Sequence, residues 1–244
     1  MRLDKFVCKS TTLTREQARE QIQQGRVQIN GRAVLSERQQ VHENNRITWD
    51  GSVLTARPFR YLLLHKPADT VCSNVDEAYP SLFNGSGIDH TEELHVAGRL
   101  DADTTGLVLI TDDGRWSFEI IRPDRLCEKV YRVGLSRPIS EHVAERFTAG
   151  ILLQGEAKPT QPAKLEVVNS REVLLTITEG RYHQVKRMFA AVGNRVRSLH
   201  REQIGAVRLD ISEGQWRNLT PDEIQSFCDR SNGLGTDMPA FSAG

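Results

Sequence analysis

The sequence predicts an α+β protein: a small N-terminal module, then a larger domain built on a mixed, largely antiparallel β-sheet with peripheral helices. Strand-like runs stand next to one another, as at Leu165 to Val168 and Val173 to Thr178, without the regular βαβ alternation of a parallel sheet. Asn30-Gly31 and Asp50-Gly51 lie between short apolar runs, where such dipeptides favour tight hairpins. Thr55-Ala56-Arg57-Pro58 reads as a linker, because proline cannot continue a β-ladder. The division this predicts is residues 1–57, residues 58–230, and a Gly/Ser/Pro-rich tail at 231–244 whose composition predicts disorder.

In the module, Leu3, Phe6 and Val7 have helical spacing. Thr14-Arg15-Glu16-Gln17 fits a capping box, Ala18 and Ile22 continue an apolar face, and Gly25 ends the helix. Val27-Gln28-Ile29 leads into the first hairpin, and Ile47-Thr48-Trp49 and Val53-Leu54 flank the second.

Beyond the linker, Tyr61 to Pro67 predicts the first strand of the larger domain, and residues 74 to 95 an irregular loop. Trp116 to Ile121 fits a short helix ending before Pro123. Lys129 to Leu135 alternates as a strand with Tyr131, Val133 and Leu135 on one face. A helix starting at Ser140-Glu141 would turn Val143 and Phe147 inward and close at Gly150. Near Tyr182 another helix is predicted to begin. Its Val185, Met188, Phe189 and Val192 form a core stripe, Gly193 stops it, and Lys186 and Arg187 lie off the stripe. Val207, Leu209 and Ile211 alternate as a strand, and Thr220-Pro221-Asp222-Glu223 is a capping box with proline at the first helical position.

Basic and acidic residues balance at 32 each, which on its face argues against a nucleic-acid partner. Their distribution is uneven: +4 over residues 1–57, −6 over 58–180, +6 over 181–208 and −4 over 209–244. Two basic segments can build a polyanion-binding face at zero net charge, or lie scattered on solvated surface. Cys8, Cys72, Cys127 and Cys228 form no C-x-x-C pair, which suits free thiols in a reducing compartment and gives neither a zinc ribbon nor a disulfide framework. No metal site is expected. No apolar run approaches membrane-spanning length, and the N-terminus carries no apolar signal core, so the reading is cytoplasmic with no membrane partner. A Walker loop and a G-x-G-x-x-G are both missing, which leaves nucleotide triphosphates and dinucleotides unsupported.

The most informative stretch is Gly98 to Gly114, where a charged turn with Arg99, Asp101 and Asp103 runs into the apolar Leu107 to Ile110. A run that short, bounded by turn residues, reads as a buried strand. By residue type alone, Asp101 and Asp103 are open to several roles. They could be turn formers, the paired carboxylates of a glycosidase, or the start of a calcium loop. The last is weakened by Asp112 standing where a bidentate Glu is expected and by the strand that follows.

Three ordered stretches, Gly98 to Gly114 (G-R-L-D-A-D-T-T-G-L-V-L-I-T-D-D-G), Glu128 to Val133 (E-K-V-Y-R-V) and Ile177 to Asn194 (I-T-E-G-R-Y-H-Q-V-K-R-M-F-A-A-V-G-N), resemble the pseudouridine synthases of the RsuA branch. Arg2-Leu3-Asp4-Lys5-Phe6 and Gly25-Arg26-Val27-Gln28-Ile29-Asn30-Gly31 resemble the S4-like (alpha-L) RNA-binding domain. Together they cover nearly the whole chain to about Phe227. One departure stands out: Lys66-Pro67-Ala68-Asp69-Thr70 lacks the glycine of the family's usual N-K-P-x-G, so a different local turn is expected there.

The resemblance implies an isomerase, without cofactor, that breaks the bond between uracil nitrogen 1 and ribose, turns the base and rejoins it through carbon 5. It implies Asp101 as the catalytic carboxylate and Lys186 as the cation beside it, since an opposite charge favours the ionised form. Tyr131 would stack on the target uracil. Arg99 would fill the gap left by a flipped base, or contact phosphate. Arg15, Arg19 and Arg26 in the module are implied phosphate contacts, as are Arg181, Arg187, Arg195, Arg197 and Arg201. The motif runs sit nearer to the members acting on 16S than on 23S rRNA. The expected partner is therefore 16S ribosomal RNA in an assembling small subunit, with the protein a monomer. The alternatives are a 23S enzyme or a noncatalytic rRNA-binding assembly factor that keeps the fold.

Overall fold

The computed structural model describes residues 1–228; the tail predicted at 231–244 and the end of the predicted second domain lie outside the described residues. The chain divides into two compact units, Met1–Phe59 and the chain from Arg60 onward.

In the first unit, α1 (Leu3–Ser10) and α2 (Arg15–Gln23) precede β1 (Val27–Ile29), β2 (Arg32–Ala33), β3 (Ile47–Trp49) and β4 (Ser52–Val53). The strands form an antiparallel sheet in the order β2-β1-β3-β4. The capping box is made in both directions: Gln17 N–H donates to Thr14 Oγ1 at 3.3 Å, and Thr14 N–H donates to Gln17 Oε1 at 2.9 Å. Asn30 and Asp50 take left-handed backbone (φ 51° and 48°), each followed by a glycine at φ 80° or 83°, which is the primed turn that matches strand twist. Leu3, Val7, Ala18, Ile22, Val27 and Ile47 fill the unit's own core. Beside them the fully buried Asp4 carboxylate gathers Arg2 at 2.9 Å, Arg15 at 3.0 Å and Arg19 at 3.6 Å. Burial alone would push that carboxyl up, but the Arg15 hydrogen bond and charge, with help from Arg2, hold it below the ordinary aspartate value.

The second unit runs β5 (Tyr61–Lys66), β6 (His95–Ala97), β7 (Thr105–Thr111), α3 (Gly114–Ile121), β8 (Lys129–Leu135), α4 (Val143–Thr148), β9 (Lys164–Asn169), β10 (Glu172–Ile177), α5 (Gln184–Ala191), β11 (Val196–Ile204), β12 (Val207–Arg208), β13 (Trp216–Asn218) and α6 (Pro221–Gln225). Its nine-stranded sheet has the order β13-β5-β7-β11-β8-β10-β9, with β6 beside β7 and β12 beside β11. Among the described residues, every pairing is antiparallel except β7 with β11. This is the mixed, largely antiparallel α+β architecture that the sequence predicts. β5 and β7 are apolar without alternation because both faces are covered. Leu62, Leu64, Val108 and Ile110 pack with Tyr131 and Val133 on one side, and Leu63, Leu107 and Leu109 pack with Trp116 on the other.

Several boundaries differ from the sequence reading, and the helix placed at Trp116 starts at Gly114. The helix placed at Ser140 starts at Val143, and the strand through Ile211 stops at Arg208. The helix placed near Tyr182 starts at Gln184, after His183 has turned into left-handed backbone at φ 47°. β11, nine residues long, is absent from the sequence reading, as are the short β6 and β13.

The parallel seam of β7 and β11 positions the site. At the seam Gly106 (φ 110°) lies so close to β11 that an added Cβ would stand 2.3 Å from the Arg201 carbonyl oxygen and 2.6 Å from its nitrogen. The Arg201 side chain, 1 % exposed, turns inward. Its Nε donates to Leu107 O at 2.8 Å, Nη2 to Gly98 O at 2.7 Å and Nη1 to the Tyr131 hydroxyl at 3.3 Å.

Two predictions follow from these packing arrangements. Gly106→Ala should cost more than about 2 kcal/mol, combining a steric clash with a backbone that L-residues avoid. Urea unfolding measures it, and a loss under about 0.5 kcal/mol would contradict the close seam. Asp4→Asn should lower stability by about 1–3 kcal/mol at neutral pH. Because the folded Asp4 pKa lies below its unfolded value near 3.9, the wild-type advantage is complete above that value and fades as pH falls through the folded one. Denaturation curves from pH 7 downward should converge, and a pH-independent gap would refute the charge assignment.

Candidate active site

Asp101 sits in the turn between β6 and β7, closed by Thr104 N–H donating to Asp101 O at 3.1 Å. The main chain around it is fixed from both ends. Arg201 holds Gly98 O, and Leu100 is buried with its N–H on the Cys72 sulfur at 3.4 Å. On the far side, the wholly buried Lys66 ammonium donates to Pro67 O, Ala102 O and Thr104 O at 2.9, 3.0 and 2.9 Å. Three carbonyls match three donors, although burial pulls the Lys66 pKa below the ordinary lysine value. Asp69 N–H adds a further bond to Ala102 O at 2.9 Å, and Asp69 itself takes φ 57°. That is the left-handed conformation glycine favours and aspartate tolerates, so the missing glycine is absorbed in place.

α5 brings the cation. Lys186 Nζ lies 2.9 Å from Asp101 Oδ2 and 2.6 Å from Asp103 Oδ1. Burial opposes the lysine charge, but the bonds to Asp103 and Asp101 outweigh it and raise the Lys186 pKa. The ammonium therefore persists through neutral pH and cannot act as a base. Burial likewise pushes the Asp103 carboxyl up, yet the Lys186 hydrogen bond and charge leave it below the ordinary value, an ion at neutral pH.

Position separates the two carboxylates. Asp101 lines a cavity of about 490 Å³ together with Arg99, Tyr131, Tyr182, His183 and Lys186; Asp103 does not, and its side chain is 67 % exposed. Tyr131 is buried on β8 opposite Arg201 on β11, and the Arg201 bond to its hydroxyl sets the ring at the cavity wall. Arg99 is exposed at the cavity lining. The four residues Arg99, Asp101, Tyr131 and Lys186 thus converge on one cavity.

The remaining arginines are placed differently. Arg181 donates to Lys158 O at 2.8 Å and to Pro159 O at 2.6 Å and pairs with Glu179. Arg187 donates to Gln154 O at 2.7 Å and pairs with Glu156 at 3.0 Å, so both tie the loop before β9 to the start of α5. In the first unit Arg15 and Arg19 cluster on Asp4 while remaining largely exposed, and Arg26 is paired with Asp50 and Gln21. Arg195 and Arg197 line a second cleft with Arg137 and Asn194. Arg201 is a correction: it is buried and bonded to protein groups, and so does not track a polyanion.

Sequence reasoning missed Lys66, Arg201 as a brace, and His183. His183 Nε2 lies 3.5 Å from Asp101 Oδ1, the oxygen Lys186 leaves unheld. The signal available for His183 was slight, since it sits one residue before a strongly periodic helix and reads as part of it.

Comparison with known proteins gives a consistent picture. Residues 60–191 match the RNA pseudouridylate synthase family and residues 1–47 the S4 domain. The chain is 49 % identical over 230 residues to the ribosomal small subunit pseudouridine synthase A of Haemophilus influenzae, covering 93 % of this chain and 99 % of that protein. It is 45 % identical over 229 residues to the protein of the same name from Escherichia coli K12, again covering 93 % and 99 %. A solved structure described as a pseudouridylate synthase superposes with a TM-score of 0.69 at 48 % identity, over 93 % of this chain and 99 % of that one. With the family matched over most of the second unit and near-half identity along almost the whole length, the chain belongs to the RNA pseudouridylate synthase family.

Proposed function

We propose that this protein isomerises a specific uridine of 16S, small-subunit ribosomal RNA to pseudouridine, acting as a cytoplasmic monomer whose first unit grips RNA while the second does the chemistry. The observation that carries this reading is the Asp101–Lys186 pair, 2.9 Å apart, in a cavity walled by Tyr131. The names of its relatives in Haemophilus influenzae and Escherichia coli support the small subunit as the source of the substrate.

The reaction breaks one carbon–nitrogen bond, makes one carbon–carbon bond and relocates one proton, with no net oxidation or hydrolysis. Both routes open to Asp101, attack on ribose carbon 1′ and removal of a ribose proton, need an ionised carboxylate with a free oxygen. Lys186 donates to Oδ2, and Oδ1 takes no bond from it, with His183 Nε2 3.5 Å away. Tyr131 offers a flat wall on which the detached uracil can turn. Extruding the base from folded RNA costs about a few kcal/mol of stacking and pairing, and Arg99, exposed at the cavity lining, would fill the vacated position or contact phosphate. Arg15 and Arg19, which share Asp4 and keep much of their surface exposed, would meet phosphates, whereas Arg26, Arg181 and Arg187 would have to exchange protein partners for RNA to do so.

Tritium release from RNA labelled at uridine carbon 5 tests the activity, and mapping modified uridines in rRNA from a deletion strain tests the 16S assignment. Asp101→Asn should abolish release while RNA affinity stays within a few-fold, because Asn keeps the shape but is neither base nor nucleophile. Asp103→Asn should be far milder, and equal loss in the two variants would remove the distinction drawn here. For the module, Arg15→Gln and Arg19→Gln should each lower the slope of log affinity against log salt by about 0.7–0.9 if each contacts one phosphate. Unchanged slopes would place the RNA grip elsewhere.

A further inference from the structure

Tyr182 is the most exposed large hydrophobic side chain among the described residues, at 77 %. It stands at the lining of the Asp101 cavity, and its ring is stacked on His183 at 3.8 Å between centroids and 20° between planes. His183 holds that stack from a left-handed backbone, a conformation histidine occupies at a cost, and no side-chain cap bond relieves it. The turn is held from outside: Arg187 donates to Tyr182 O at 3.0 Å, and Arg181, on the other side, is bonded to Lys158 O and Pro159 O. An aromatic ring kept in water, on a strained and doubly braced turn, at the entrance to a catalytic cavity calls for a planar partner.

Resting on the isomerase reading above, we infer that the outer face of Tyr182 is a stacking ledge for the nucleobase adjacent in the strand to the target uridine, with His183 as its backing. When the target base enters the cavity toward Tyr131, the neighbouring base is drawn to the entrance. There an exposed π-face suits any base, since aromatic stacking is tolerant of sequence. His183 also links the ledge to the chemistry. Its Nε2 reaches toward Asp101 Oδ1, so one imidazole, kept in plane by Tyr182, is a positioning residue for the reactive carboxylate.

The test uses the full chain and an oligocytidine decamer with one central uridine and 2-aminopurine on its 5′ or its 3′ side, whose fluorescence falls on stacking. Wild type should quench the probe at one of the two positions. Tyr182→Ala should abolish that quenching and weaken binding about 5- to 150-fold, while Tyr182→Phe should retain both. His183→Gly accepts the left-handed backbone without strain. It should nevertheless lower the single-turnover rate, and His183→Gln, whose amide nitrogen reaches about where Nε2 stands, should recover rate without recovering quenching. No quenching by wild type at either position, or equal quenching and affinity in Tyr182→Ala, overturns the ledge; a rate in His183→Gly equal to wild type overturns the positioning role. Tritium release by wild type is read separately. Binding and quenching without release keep the ledge and remove the isomerase reading, whereas release with an unaltered Tyr182→Ala removes the ledge alone.

Discussion

The buried guanidinium of Arg201 is the tie on which the catalytic unit depends. Its bonds reach β7 at Leu107, the segment entering the Asp101 turn at Gly98 and the hydroxyl of Tyr131 on β8, three parts of the chain that converge on the cavity. A charge taken out of water is stable only when its donors are met, so the side chain acts as a constraint as well as a bond: shifting any of the three partners strands a buried donor. Gly106 allows the strand carrying Arg201 to lie close enough, and Lys66 does for the far end of the turn what Arg201 does for the near end. Two buried cations acting on carbonyls thus set Asp101 before any substrate arrives, which is how a site on a turn acquires the precision of one on a strand.

With the main chain fixed, Lys186 divides the labour of the two aspartates. One ammonium serving two carboxylates leaves a locally negative site, unfavourable for a polyanion unless the second carboxylate faces solvent. Asp103 does face solvent, where water screens it, while Asp101 faces the cavity. The Lys186–Asp103 hydrogen bond works against burial at both ends, lowering the Asp103 pKa and, together with the bond to Asp101, raising that of Lys186.

The sequence was most legible where local physics decides structure. The capping boxes at Thr14 and Thr220, the turns at Asn30-Gly31 and Asp50-Gly51 and the alternation of β8 all appear as expected, because each depends on a few neighbouring residues. β11 escaped for an identifiable reason: its buried positions include Arg201 between Leu199 and Ile204, so the strand reads as polar, and the +6 charge of the segment points to surface. The same residue hides the strand and braces the site. His183 was hidden differently, because a left-handed N-cap interrupts a helix without disturbing its apolar period. Asp101, Lys186 and Tyr131 were legible only through motif resemblance, since their 85-residue and 55-residue separations leave no local trace.

Zero net charge and an RNA substrate are reconciled by where the arginines are spent. Arg26, Arg181, Arg187 and Arg201 are bonded within the protein, so the charge count of a segment overstates its free positive potential. Arg15 and Arg19 keep much of their surface exposed even while sharing Asp4 with Arg2, and Arg195 and Arg197 stand exposed beside Arg137. Grouping three arginines on one buried carboxylate lowers their mutual repulsion while leaving a net positive cluster, so the first unit can stay folded and still attract phosphate. Electrostatic attraction of that kind carries no sequence information. On the reading proposed above, discrimination among uridines falls to the cavity that Arg99, His183 and Tyr182 line.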